Sequence, residues 1–253
     1  MVQAALEFIA AHPDVRGGFG LSPHAPYTAS GELYRLAAQR AKARNILLTT
    51  HLAESQDEDD MIRRGTGPMY DYFLRAGRDM GDCKRTGPTQ LMGEFGVLGH
   101  NCLAAHANAL TPLDVTLLKQ TGTHVVHCPK AHRFFGRGTS LLQALLTQGV
   151  NVCLGTDSLA SNDTLNMLAE MQTLAHMFPR MAAQELLEMA TLNGAKALNQ
   201  EEKLGRIAPG AWADLIAAPL EGGGGDPYEA IVYADKEVSF SMVAGELIFD
   251  DAK

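Results

Sequence analysis

Residues suited to buried strands gather in this chain into short unbroken runs, and each run ends near a residue able to do chemistry. Leu47 to Thr50 lead straight into His51, with Glu54 three positions later. Cys102 to Ala105 lead into His106, Val125 and Val126 into His127, Val150 to Leu154 towards Asp157, and Phe19 to Leu21 towards His24. A single strand that finishes on an imidazole needs no explanation beyond a polar residue meeting water. Five successive runs with the same ending do need one. Each run is continuous, not alternating, as expected of parallel strands covered on both faces.

Between the runs the spacing becomes helical. Residues 31–45 place Leu33, Leu36, Ala37 and Ala41 on one face and Arg35, Arg40 and Lys42 elsewhere, with Ser30 as N-cap and Glu32 in the first turn. Residues 111–122 open on Thr111 and Pro112 and close on Gly122, and residues 138–149 follow the same form. The N-terminal residues 1–18 read as an amphipathic helix, and two more helices are predicted over 164–178 and 181–199. Strands alternating with helices predict βαβ units, hence an α/β fold with a parallel sheet. Polar residues that follow successive strands of such a sheet converge on one mouth, most tightly in a (β/α)8 barrel. From residue 203 the texture changes to short strand-like pieces at 214–218, 230–233, 238–243 and 246–249, with "AGEL" as a turn and the tetraglycine 222–225 as a flexible loop. Two domains are therefore expected, 1–202 and a small β appendage over 203–253.

Composition narrows the partners. The 253 residues are 46% hydrophobic and 20% charged, ordinary for a globular protein with a sizeable core. A net charge of -8 argues against nucleic acid and anionic membrane, both of which need a basic face. No run approaches the roughly 20 apolar residues of a membrane span, and the N-terminus lacks the basic region of a signal peptide. Cys83, Cys102, Cys128 and Cys153 have no CxxC spacing. They read as core residues in a reducing compartment, so a cytoplasmic location is expected.

Four blocks carry a family resemblance: "TTHLAES" (49–55), "LAAHANAL" (103–110), "VVHCPKAH" (125–132) and "VNVCLGTDSLASNDTLNMLAEM" (150–171). They resemble the amidohydrolase superfamily, and within it the chlorohydrolases and nucleobase or nucleoside deaminases, a group that includes S-adenosylhomocysteine/methylthioadenosine deaminase-like enzymes. "KLGRIAPGAWADLI" (203–216) is similar to that group's C-terminal segment beside the barrel. The resemblance implies a (β/α)8 TIM-barrel type of which this chain carries strands four to eight, with 203–253 as half of a composite β-sandwich. It further implies one divalent metal, Zn²⁺ first and Fe²⁺ second, which activates water by lowering its pKa towards ~7. His51 and Asp157 are the implied metal ligands, and Asp157 also accepts a proton from the attacking water. Glu54 is the implied proton shuttle and touches substrate. His106 is implied to hydrogen-bond the water or polarise the reacting centre. His24 and Ser158 are expected to contact substrate. His127 is read as a structural histidine with catalysis as the alternative. His132 is a further candidate in a segment where relatives usually carry Ser and Asn at positions 131 and 132. No lysine occurs in "GGFGLSPHAPY" (17–27), where dinuclear members carry a bridging one, so a single metal is expected. His12, His100, His124 and His176 read as surface or packing residues, and the acidic run "ESQDEDD" (54–60) as a solvated helix start.

One part of the family pattern is missing. The superfamily supplies two ligands from a His-x-His pair on its first strand, and no two of the nine histidines here are two apart. The sequence is thus expected to be the C-terminal portion of an enzyme, whose partner would be a complementing N-terminal segment or further copies of the chain. Alone it is expected to bind metal weakly. The implied reaction is hydrolytic deamination, or dechlorination, of an amino- or halo-substituted nitrogen heterocycle or nucleoside. The alternative is a catalytically inactive fragment or interaction module.

Overall fold

In the computed structural model the described residues are 2–13, 17–138, 140–219, 225–234 and 237–250. The chain opens with α1 (Val2–Ala11), β1 (Gly20–Leu21) and α2 (Gly31–Arg44). Ser30 caps α2 as expected, its hydroxyl accepting from the Leu33 amide at 3.2 Å, and Asn45 closes the helix in the left-handed region. β2 (Leu47–Leu52) is followed by an excursion containing α3 (Gln56–Asp59), a π-helical turn (Asp60–Arg64), α4 (Pro68–Arg75) and α5 (Pro88–Glu94). β3 (Cys102–His106), α6 (Pro112–Thr121) and β4 (His124–His127) come next. Thr111 and Asp114 form a reciprocal capping box at the start of α6. Then follow α7 (Pro129–Phe134), α8 (Leu142–Thr147), β5 (Val152–Leu154), α9 (Met167–Met177), α10 (Ala183–Ala190) and α11 (Leu192–Ala197). The chain closes with β6 (Leu215–Ala217), α12 (Pro227–Val232), β7 (Phe240–Val243) and β8 (Glu246–Asp250).

The strands form a five-stranded sheet in the order β1-β2-β3-β4-β5 and a three-stranded sheet in the order β6-β7-β8. The chain divides into two compact units, one of residues 1–127 and 136–152, the other of residues 128–135 and 153–253. In the first unit β1 to β4 are parallel neighbours, with Thr50 opposite Ala104 and His51 opposite Ala105. Leu48, Thr50 and Leu52 on one face of β2 are buried, whereas Leu47, Thr49 and His51 on the other are half-buried. Full cover on both faces was the expectation; the half-covered face is the one that presents His51. Behind the buried face lie Tyr34, Met61, Ile62, Leu91, Met92 and Leu118, all inaccessible to solvent. Tyr34 satisfies its hydroxyl on Thr50 at 2.6 Å. The Thr50 hydroxyl also lies 3.2 Å from the His24 carbonyl, which can only accept, so Tyr34 is the donor in this pair.

In the second unit α9 packs against α7, α10 and α12. β6, β7 and β8 pair antiparallel, and Ala244 and Gly245, both at positive φ, make the tight turn expected from "AGEL". Three sequence expectations are corrected here. The strand predicted over 230–233 is helix α12, because the Asp226 carboxylate caps the Tyr228 amide at 2.9 Å and Pro227 starts the first turn. The single helix predicted over 181–199 is two, broken at Thr191, whose φ of -127° and ψ of -84° leave the helical region. The chain turns back there: a Cβ on Gly205 would lie 2.8 Å from the Thr191 carbonyl oxygen, so only glycine fits. The helix predicted over 138–149 is confined to Leu142–Thr147. The tetraglycine loop, apart from Gly225, lies outside the described residues.

Candidate active site

Three imidazoles stand in a row at the ends of β1, β2 and β3 in the first unit. The ring centroids of His24 and His51 are 4.8 Å apart, and those of His51 and His106 are 5.2 Å apart with the planes tilted by only 26°. His106 is buried and at φ 73°, so β3 ends there in a left-handed turn that continues through Ala107. The His51 ring is oriented through the main chain: its Nδ1 lies 2.9 Å from the His24 carbonyl oxygen. A carbonyl oxygen only accepts, so Nδ1 carries the hydrogen and Nε2 keeps its lone pair. That is the arrangement a metal-binding imidazole uses. His24 itself bonds Thr28 through Nδ1 at 2.7 Å. The Thr28 hydroxyl is directed at the Ala25 carbonyl at 3.2 Å, so His24 Nδ1 donates and its Nε2 remains as the acceptor.

Glu54 follows His51 at the end of β2, on a turn whose preceding residue, Ala53, is buried and left-handed at φ 48°. This strained turn is held by Glu58, whose carboxyl oxygens accept from the Ala53 amide at 3.0 Å and the Glu54 amide at 2.8 Å. Asn108 donates to the Glu54 carbonyl at 3.1 Å. At its carboxylate Glu54 meets Arg137 at 2.8 Å and, at the long limit of a hydrogen bond, the Tyr27 hydroxyl at 3.4 Å. Burial first, then the neighbouring Glu54 carboxylate, raise the Tyr27 phenol far above its usual range, so it is a protonated donor throughout. Arg78 fixes the segment that carries His24 and Tyr27. It donates to the carbonyls of Pro26 at 2.8 Å and Tyr27 at 3.0 Å, and forks onto Asp82 at 2.7 and 2.8 Å.

The acidic run after Glu54 is not solvated as expected, since Glu58 is fully buried and Asp59 nearly so. Asp59 is matched by Arg63 at 2.9 Å, and Glu58 by the two amides. Burial pushes the Glu58 carboxyl up to about 8, outweighing the two N–H bonds that favour its charged form. An unfolded chain releases this proton near 4.5, so between about pH 4.5 and 8 the folded state holds a proton that the unfolded state has lost. Stability therefore falls as pH rises through that window. Glu58→Gln can accept only one of the two amides and is expected to be less stable throughout, by about 1–3 kcal/mol. Its urea stability, however, should lose this Glu58 component of the decline between about pH 5 and 8. An unchanged slope would show that another group carries it.

In the second unit Asp157, at φ 55°, accepts from the Ser161 hydroxyl. Ser158, expected at the substrate, accepts the Ala160 amide at 3.2 Å through its hydroxyl. The loop is anchored by Asn162, which donates to the Thr156 carbonyl at 2.8 Å and to Glu170 at 2.6 Å. Glu170 also accepts the Lys130 amide at 2.9 Å, and burial raises its carboxyl above the usual range. The Lys130 ammonium pairs with Asp163. His132 is buried in α7 of this unit, and His127 is buried at the end of β4 in the first. The first unit thus brings His24, His51, His106 and Glu54 together. Sequence reasoning missed Tyr27, Glu58, Arg78, Asn108 and Arg137 around them, although Tyr27 lies in "GGFGLSPHAPY", Glu58 in "ESQDEDD" and Asn108 in "LAAHANAL". All four cysteines are buried and free, and burial raises the Cys102 thiol to about 12. No helix among the described residues is long and apolar enough to cross a membrane.

A parallel α/β sheet with imidazoles and a carboxylate at its strand ends is the setting in which the comparisons fall. The chain belongs to the amidohydrolase family, whose profile matches residues 1–248. A 5-methylthioadenosine/S-adenosylhomocysteine deaminase of Pyrococcus abyssi is 32% identical over 260 residues, covering 98% of this chain and 56% of that protein. Its namesake in Pyrococcus furiosus is 35% identical over 252 residues, covering 93% and 54%. An adenosine deaminase from Xanthomonas campestris, solved with bound zinc, superposes with a TM-score of 0.84 at 25% identity, over 99% of this chain and 56% of that one. A zinc complex of an atrazine chlorohydrolase from Arthrobacter aurescens shares the fold, with a TM-score of 0.82 at 24% identity over 100% and 55%. The chain spans about half the length of the curated relatives it matches.

Proposed function

We propose that the protein is a metal-dependent deaminase that hydrolyses the amino group of an adenine-type nucleoside, with 5'-methylthioadenosine, S-adenosylhomocysteine and 5'-deoxyadenosine as the class of substrate. The relatives' names supply the substrate class. The observation that carries the reading is local: Glu54 follows His51 by three residues at the end of β2, its carboxylate is held in place by Arg137, and the His51 ring is held through Nδ1, which leaves Nε2 as its metal-binding nitrogen. The donor chemistry fits one divalent cation, zinc first: His51 and His106 offer two nitrogens in the first unit, and the "LGTDSLASN" motif adds Asp157 as an oxygen ligand. Two nitrogens and one oxygen are as many protein ligands as catalytic zinc sites commonly use. In this reading His106 is a ligand as well as a neighbour of the water.

Bound there, the cation would lower the pKa of water and supply hydroxide near neutral pH. The rest falls to the chain. Glu54 takes one proton from the attacking water to a ring nitrogen and then carries the water's second proton to the departing amine, which leaves as ammonia. Asp157 is the second proton acceptor, and His24, through Nε2, contacts the base. Residues 1–202 form the barrel portion, strands four to eight, and 203–253 the β-sandwich portion.

A second reading, a non-catalytic interaction module, is favoured by the lack of any His-x-His among the nine histidines. The test is ammonia release from 5'-methylthioadenosine by the zinc-loaded chain, before and after chelation. Chelator-sensitive release is expected. Its absence, with zinc bound, favours the second reading.

A further inference from the structure

The two oxygens of Glu54 are held unequally. Oε1 takes the Arg137 guanidinium at 2.8 Å, a charge-assisted bond, whereas among the described residues Oε2 has only the neutral Tyr27 hydroxyl at 3.4 Å. Both side chains of the ion pair are largely buried, at 23% and 15% exposure, so water screens it little. The backbone of Glu54 is already fixed by Glu58 and Asn108, which leaves the side-chain torsions as its remaining freedom. Arg137 reaches it from a segment 83 residues away, between Gly136 and Gly138, with Gly136 in the left-handed region at φ 58°.

We propose that Arg137 is the positioning residue of Glu54: it anchors Oε1 and thereby assigns proton exchange to Oε2. The chemical part rests on the deaminase reading above; the anchoring does not. Oε2 takes one proton from the attacking water to the ring nitrogen as the new C–O bond forms, and carries the water's second proton to the amine as the C–N bond breaks. Arg137 gains and loses no proton, because a guanidinium stays charged in proteins. Tyr27 follows Oε2 as a neutral donor that gives way to substrate at little cost, its bond being long.

The test uses Arg137→Met and Arg137→Lys in the zinc-loaded chain, with ammonia release from 5'-methylthioadenosine and crystal structures of the parent and the Met variant. Arg137→Met should lower kcat about 100-fold, the scale of a misplaced catalytic group, with KM changed by no more than about twofold. Arg137→Lys, which keeps a charge but not the fork, should recover about tenfold of the loss. Zinc content should be unchanged in both, and Glu54 in the Met variant should leave its present rotamer or spread over several. Parent-like kcat in Arg137→Met, or a Glu54 carboxylate that keeps its orientation there, overturns the proposal. If the zinc-loaded parent releases no ammonia, the deaminase reading fails and the Glu54 orientation alone decides the role of Arg137.

Discussion

Glu54→Gln is expected to abolish ammonia release while the metal stays bound. The amide has the shape of the carboxylate and leaves the backbone bonds to Glu58 and Asn108 untouched. Its carbonyl oxygen can still accept from Arg137. What it cannot do is take a proton from water or hand one to a leaving amine. Positioned acid–base groups contribute about 10²- to 10⁴-fold, and Glu54 is asked to act in both directions, so a loss of about 10³-fold or more is expected. Elemental analysis and the ammonia assay on the same preparation separate the roles. Should the Gln variant lose its metal, Glu54 is a ligand and the assignment falls.

His51→Ala is expected to do the converse and empty the site. Two of the three proposed donors would remain, and with them affinity drops steeply, so whatever zinc the parent chain holds should fall to near zero. Folding should survive: the ring's bond to the His24 carbonyl is lost, but the backbone amide of position 51 keeps its own bond to that oxygen, at 2.9 Å, which continues the β1–β2 ladder. Circular dichroism should match the parent while zinc disappears. Two metals per parent chain would overturn the mononuclear arrangement that the lysine-free segment 17–27 points to.

Much of this was legible in the residues because the physics was local. The strands were continuous apolar runs, and the caps at Ser30 and Thr111 form the bonds their side chains promise. His24, His51, His106 and Glu54 were readable because each follows a strand end, and strand ends of a parallel sheet share a mouth. Other features depend on tertiary surroundings. Glu58 sits in a run of carboxylates that looks solvated, and only the strained turn at Ala53 explains why one of them is buried. Arg137 shows nothing in sequence to connect it with a carboxylate 83 residues earlier. The helix over Pro227–Val232 was missed for a local reason: its Asp-Pro start was outweighed by the β-prone "AIVY" that follows.

The His24 carbonyl receives two donors, the His51 amide and the His51 ring, each at 2.9 Å. That service belongs to the main chain and is indifferent to which side chain position 24 carries. The imidazole at the same position is exposed. One residue therefore separates two inheritances: its backbone conserves the metal-side geometry, and its side chain is free to drift. Selection for a new substrate can act on position 24 without dismantling the orientation of His51, which makes it a natural point of divergence between enzymes that share this chemistry.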